Sequence, residues 1–326
     1  MEKRLLWVDS LRGLLIVLVV IGHCIQDTDI DYTHNYFWNL IYSFHMAVFM
    51  AISGYVSYRK SLVIKTLRKK IVELLLPFFT WTLVFNLFSP SLLNKIHEIL
   101  LHPDMSFWFL WVLFFIILLF LLADIMSRFL KIKQEYSVLF FTVGLCVIMI
   151  FCNFRLFGFQ FISYYFIFYS LGFYFRKYPN IVTCNKYILI IVGFIWFLGA
   201  SFWNMHELPF FLKGIPHVPL SLLQYVYRIL VALIATYFFI GISPKILNRS
   251  NLINKILVYL GTWTLGIYIV HLGIPFNKLF KNYDFILNNT LLYFVVRLLI
   301  TIAIVKIISL WNISSFVLLG KPLNKK

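Results

Sequence analysis

Asp9, Arg12 and His23 stand in an N-terminal stretch that is otherwise strongly apolar. Arg12 and His23 are eleven residues apart, which on a helix is about 20° beyond three full turns, so both project from one face, roughly 16 Å apart along the axis. Asp9 lies one turn before Arg12, a spacing that permits an ion pair. One helix face would thus run from an Asp/Arg pair at its start to an imidazole near its end. Imidazole is the side chain whose ordinary pKa lies nearest neutrality, which suits it to act as a base toward a hydroxyl. The bland alternative is that Asp9 and Arg12 anchor the helix end while His23 satisfies a backbone carbonyl.

Phe44-His45-Met46 repeats the pattern in the next apolar stretch, and Ser53-Gly54-Tyr55 follows it. His23 stands about three residues from the far end of its segment and His45 about eight, an offset of roughly 7 Å between antiparallel neighbours. The two could line one cavity. No carboxylate or cysteine stands at helical spacing to complete a metal site, so no metal is expected. His271, closing the run Gly261-Thr262-Trp263-Thr264-Leu265-Gly266-Ile267-Tyr268-Ile269-Val270-His271, lies at the end of its segment, where an interfacial position is the simpler reading. Six bases (Arg59, Lys60, Lys65, Arg68, Lys69 and Lys70) crowd the link before Leu74-Leu75-Leu76-Pro77. They could hold phosphates through charge-assisted hydrogen bonds, Arg68, Lys69 and Lys70 foremost, or could serve as a stop-transfer signal touching lipid. The indoles of Trp108 and Trp111 resemble an interfacial aromatic belt.

The elements that must position these groups follow from composition. Of 326 residues, 62% are hydrophobic and 13% charged, against about 25% charged in an ordinary soluble domain. Lipid accommodates that excess; a single water-soluble core does not. The expected fold is all-α: a polytopic membrane protein of about ten transmembrane helices, near 11–26, 37–57, 71–89, 106–126, 136–152, 159–175, 187–203, 219–241, 256–276 and 290–316. Twenty Lys and Arg fall in alternate links counted from the N-terminus and five in the others, which predicts both termini on the cytoplasmic side. The net charge of +17 is then explained by topology and anionic headgroups, without nucleic acid. The first outer link carries Asp27, Asp29 and Asp31 and no base. Cys24, Cys146, Cys152 and Cys184 form no C-x-x-C pair, so neither a disulfide framework nor a zinc ribbon organises the chain. The first apolar run has no small-residue cleavage site and reads as a retained span. Residues 1–326 read as one membrane domain without repeats.

Taken in order, these landmarks resemble the integral-membrane acyltransferase 3 family, in particular its stand-alone O-acetyltransferases of bacterial surface glycans. The resemblance rests on Asp9-x-x-Arg12 with His23 after ten further residues, Phe44-His45-Met46 through Ser53-Gly54-Tyr55, the basic link entering Leu-Pro-Phe-Phe, Phe107 to Trp111, and Gly261 to His271. It implies transfer of an acyl group, usually acetyl, from cytoplasmic acyl-CoA (acetyl-CoA) to a glycan or lipid-linked saccharide hydroxyl at a bacterial plasma membrane. It also implies His23 as the catalytic imidazole, either base or acyl carrier, and Arg12 as its essential partner. His45 would orient the acceptor, polarise the thioester carbonyl, or be structural. Acyl-CoA would be a cosubstrate, with no permanently bound cofactor. One departure stands out: Glu73 occupies a position before Leu-Pro where the resemblance leads one to expect arginine.

Two other classes fit parts of the pattern. A transporter or flippase for a polysaccharide precursor would also use ten helices with polar residues in the first two, and repeated broken helices would favour it. A sensor or structural membrane protein would have no need of the buried histidines.

Overall fold

The computed structural model describes residues 5–58, 64–87, 91–103, 106–152, 154–182, 185–216 and 218–322, and every regular element among them is a helix. Arg59, Lys60, Cys184 and the terminal bases Lys3, Arg4, Lys325 and Lys326 lie outside the described residues, as does the side chain of Lys65. In chain order the helices are α1 (Leu6–Thr28), α2 (Tyr36–Tyr42), α3 (His45–Ser57), α4 (Ile64–Lys70), α5 (Leu76–Asn86), α6 (Leu92–Leu101), α7 (Trp108–Phe129), α8 (Gln134–Cys152) and α9 (Phe159–Lys177). They continue with α10 (Lys186–Ser201), α11 (Leu220–Ile246), α12 (Leu252–Thr262), α13 (Thr264–Gly273), α14 (Phe276–Leu279), α15 (Asp284–Leu287), α16 (Thr290–Ser309) and α17 (Asn312–Leu319). Among the described residues seven helical segments are long and apolar enough to cross a membrane, or eight if the bent pair α12–α13 is one span. This is a multi-pass membrane protein, built of helices because lipid offers backbone groups no other partner.

All ten expected segments are helical, but four depart from a simple rod. The second breaks at Ser43 and Phe44 into α2 and α3, which puts His45 at the first position of a helix rather than inside one. The third begins with a π-turn over Ile71–Leu75 before α5. Pro77 explains it: proline has no N–H to give the carbonyl four residues back, Glu73, and its ring crowds that carbonyl. The ninth bends by 69° at Trp263. The tenth stops at Ser309, and α17 is a separate helix. The seventh, α10, has only 16 residues.

Glycine sets the closest crossings. A Cβ on Gly13 would strike the Leu257 carbonyl, and one on Gly261 the Asp9 carbonyl, so α1 and α12 meet backbone to backbone. Gly54 on α3 and Gly172 on α9 meet the Tyr169 and Ala51 carbonyls in the same way. Lipid gives helices no hydrophobic reason to associate, so close approach of small residues takes over. The expected aromatic belt at the start of α7 is not one. Trp111 is buried against Phe78 and donates its indole N–H to the Phe157 carbonyl at 3.0 Å, while Trp108 stacks on Phe161 and Tyr165.

Candidate active site

Helix α1 carries Arg12, Ile16, Val19 and His23 at spacings of four, three and four, a single stripe. Arg12 is half-buried with Nη1 3.9 Å from Asp9 Oδ1, so the pair expected one turn apart forms. At the other end the His23 Nδ1 lies 2.7 Å from Gln26 Oε1, and its ring is 5.4 Å, centroid to centroid, from that of His271. His271 is fully buried. The interfacial position expected for it is therefore wrong: the 69° bend at Trp263 turns α13 inward and carries His271 against His23. His45 is also buried, packed edge-on to Tyr42 at 4.7 Å, and near enough to His23 for the two to interact electrostatically.

The hydrogen bonds decide which nitrogen of each ring is free. His45 Nδ1 is 2.7 Å from the Ile41 carbonyl and His271 Nδ1 is 2.7 Å from the Ile267 carbonyl. A carbonyl can only accept, so in the neutral ring Nδ1 carries the proton and Nε2 keeps its lone pair. Gln26 Oε1 does the same for His23. Three imidazoles thus gather with Nε2 available as base or acceptor, and that of His271 has no partner within the described structure.

Behind them stands a buried cation of the last long helix. Arg297 of α16 is 5% exposed. Its Nη1 donates to Asp27 Oδ2 at 2.6 Å and its Nη2 to the His271 carbonyl at 3.0 Å. Tyr293 donates its hydroxyl to the same Asp27 oxygen at 2.9 Å, and the guanidinium lies over the rings of Phe276 and Tyr293. The signal was present, since a charge inside an apolar run marks function or a buried partner by default. Its partner, Asp27 in the last turn of α1, is too far away in sequence to be paired with it by spacing.

A cavity of about 690 Å³ opens at the opposite end of α1. It follows the stripe from Arg12 past Ile16 to Val19, and Ser53 and Phe49 of α3 form the facing wall. Its inner end is bounded by Val19, Met46 and Tyr268, which stand four, one and three residues from His23, His45 and His271. None of the three histidines lines the cavity, whose wall is built instead by their near neighbours in sequence. At the mouth are Arg12, Lys69, Lys70 and Lys321, with Glu73 the only acidic residue among the described lining residues. Lys70 Nζ is 2.6 Å and Lys69 Nζ 3.5 Å from the Glu73 carboxylate. Of the three bases expected to meet phosphates, Lys69 and Lys70 reach the cavity already engaged by Glu73. Arg68 is exposed and does not line it.

A family model described as Acyltransferase domain matches residues 5–310. The chain is 30% identical over 222 residues to "Nodulation protein NolL" of Mesorhizobium japonicum, covering 61% of this chain and 57% of that protein. It is 25% identical over 190 residues to "Nodulation protein NolL" of Sinorhizobium fredii, covering 52% of this chain and 48% of that protein. The chain thus spans about half the length of the curated relatives it matches. No solved structure matches it.

Proposed function

Since this chain belongs to the acyltransferase 3 family, we propose that it moves an acyl group, acetyl in the simplest case, from cytoplasmic acyl-CoA to a hydroxyl of a cell-surface glycan or its precursor. The observation that carries this reading is the cavity rising from a basic mouth along the Arg12 stripe toward His23. A thioester donor with anionic phosphates at one end and a narrow, mostly apolar arm at the other matches that shape and polarity. The arm would lie along Ile16, Ser53 and Val19, and displacing Val19 and Met46 would bring the thioester to the imidazoles.

At the cluster, His23 Nε2 takes the proton of the acceptor hydroxyl as its oxygen attacks the thioester carbonyl. The tetrahedral intermediate collapses, the carbon–sulfur bond breaks, and the imidazolium returns its proton to the departing sulfur. Ester and free thiol are the products, and no net proton is consumed. His45 holds its proton on the Ile41 side, so its Nε2 can accept a hydrogen bond from the acceptor sugar but cannot polarise the thioester carbonyl. Acceptor positioning is the role that fits.

Orientation follows from the same arrangement. Arg12, Lys69, Lys70 and Lys321 share one end of the molecule, while Asp27, Asp31, His34 and Glu207 share the other. With the basic end cytoplasmic, as the positive-inside bias requires, the donor enters from the cytosol of a bacterial plasma membrane and the acceptor meets the histidines from the outer side.

The test compares surface polysaccharide from wild type, a deletion strain, and the deletion carrying His23→Ala, by mass before and after mild base. Wild type should show a base-labile increment of one acyl group, and the other two should lack it while His23→Ala stays at its normal level in the membrane. An unchanged ester content in the deletion would refute the assignment.

A further inference from the structure

The C-terminal segment builds part of the cavity mouth. Helix α17 ends at Gly320, whose φ of +62° is the left-handed conformation that favours glycine. A Cβ there would come within 2.6 Å of the Glu73 carbonyl and 2.8 Å of that of Val72, so the chain turns tightly onto the π-turn that Pro77 creates. Lys321 follows at once, in the cavity wall, with its Nζ 3.2 Å from the centre of the Trp263 ring. Lys306, reaching from α16, brings its own Nζ to 4.3 Å from the same ring and 4.9 Å from that of Tyr259.

Two ammonium groups therefore share one indole at the entrance to a cavity. Among the described residues neither makes an ion pair with a carboxylate, whereas Glu73, the acid at the mouth, is taken by Lys69 and Lys70. Like charges in a partly desolvated place repel, and an aromatic face offsets only part of that. Burial and the neighbouring Lys306 push the Lys321 ammonium below its ordinary pKa. An anion placed between the two would relieve the repulsion and gain charge-assisted hydrogen bonds from both.

We propose that Lys306 and Lys321, set over Trp263, form a phosphate-binding subsite at the cavity mouth, distinct from the Lys69–Lys70 side. The proposal deepens the acyl-CoA reading and rests on it for the expected occupant, the nucleotide phosphates of the donor. The same phosphate chemistry is available from an anionic lipid headgroup. Lys321 lines the cavity while Lys306 reaches the same Trp263 ring from α16, so the subsite depends on Gly320 bringing the C-terminal segment into place.

The experiment uses the full-length protein in phosphatidylcholine nanodiscs, with coenzyme A and pantetheine as probes, comparing wild type with Lys306→Gln, Lys321→Gln and Lys321→Arg. Each Gln variant should weaken coenzyme A binding about tenfold and leave pantetheine unchanged, and Lys321→Arg should retain most of the affinity. In parallel, phosphatidylglycerol is added to the nanodiscs and the lipid retained per protein is measured by native mass spectrometry. If the Gln variants lose retained phosphatidylglycerol but bind coenzyme A normally, the subsite stands with a lipid phosphate as occupant. If wild type binds neither coenzyme A nor pantetheine, yet its lipid retention depends on the two lysines, the acyl-CoA reading falls and the subsite survives. If neither coenzyme A affinity nor lipid retention changes in either Gln variant, the subsite is overturned.

Discussion

Replacing Arg297 by leucine removes the donor to Asp27 at 2.6 Å and the donor to the His271 carbonyl at 3.0 Å, leaving the Asp27 carboxylate with the Tyr293 hydroxyl alone. Breaking a buried ion pair by deleting one partner costs about 3–5 kcal/mol, because the other charge stays behind without its counterpart. The Asp27 side chain keeps 23% of its exposure, so water recovers part of the loss and the low end, about 3 kcal/mol, applies. The reverse truncation, Asp27→Leu, strands a guanidinium whose side chain is only 6% exposed, and about 4 kcal/mol is expected. The double leucine variant strands neither charge. Because a buried pair often does little better than apolar residues filling the same space, it should return to within about 1 kcal/mol of wild type. The assay is reversible unfolding in mixed micelles, followed by circular dichroism, on all four proteins. Acyl transfer should fall in Arg297→Leu as well, since the bond that ties the backbone of His271 to α1 through Asp27 is gone. Two results would refute this reasoning: Arg297→Leu within about 0.5 kcal/mol of wild type, or a double variant as unstable as the two singles added together.

Other substitutions probe the cavity, the helix crossing and the outer surface. Ser53→Trp places an indole in the cavity wall at a site whose hydroxyl bonds only its own helix at Phe49. Coenzyme A binding should drop at least tenfold with the protein still folded, and unaltered affinity in a titration would show that the donor does not use this space. Gly261→Ala drives a methyl group onto the Asp9 carbonyl and should cost about 1–3 kcal/mol through overpacking, read as a lowered melting temperature; an unchanged melting curve would show that α1 and α12 separate at little cost. His34 on the outer surface bonds Asp31 Oδ1 at 2.6 Å and Glu207 Oε1 at 3.3 Å, and these acids, Asp31 first, raise its pKa above 6.5. A raised folded-state pKa means that the contact between the two outer loops is complete below pH 6.5 and lost as pH climbs through the raised value. The His34 ring in a two-dimensional NMR titration should therefore show a midpoint above 6.5 that falls toward the ordinary value in Asp31→Asn, where Glu207 still acts on it. A midpoint at or below 6.5 in wild type would refute the contact.

Much of this protein is legible before any coordinates. Apolar runs between basic links announce a helical membrane protein, because hydrocarbon leaves the backbone only one local way to satisfy itself. The Arg12–His23 stripe is equally local: helical geometry alone puts both side chains on one face, and the cavity follows that face. What composition and spacing could not decide depends on bends and on pairs distant in sequence. His271 read as interfacial because a straight ninth helix would end there, and only the break at Trp263 turns it onto His23. His45 read as the middle of a span, until the break at Phe44 made it the start of a helix with its Nδ1 tied to Ile41. Arg297 and Asp27 are 270 residues apart, beyond the reach of any periodicity. The mouth is assembled from α4, the α12–α13 bend and a C-terminal turn that Gly320 and the π-turn before Pro77 bring together. Local sequence sets which way a side chain faces on its own helix; which imidazole it meets is set by where the helices break and cross.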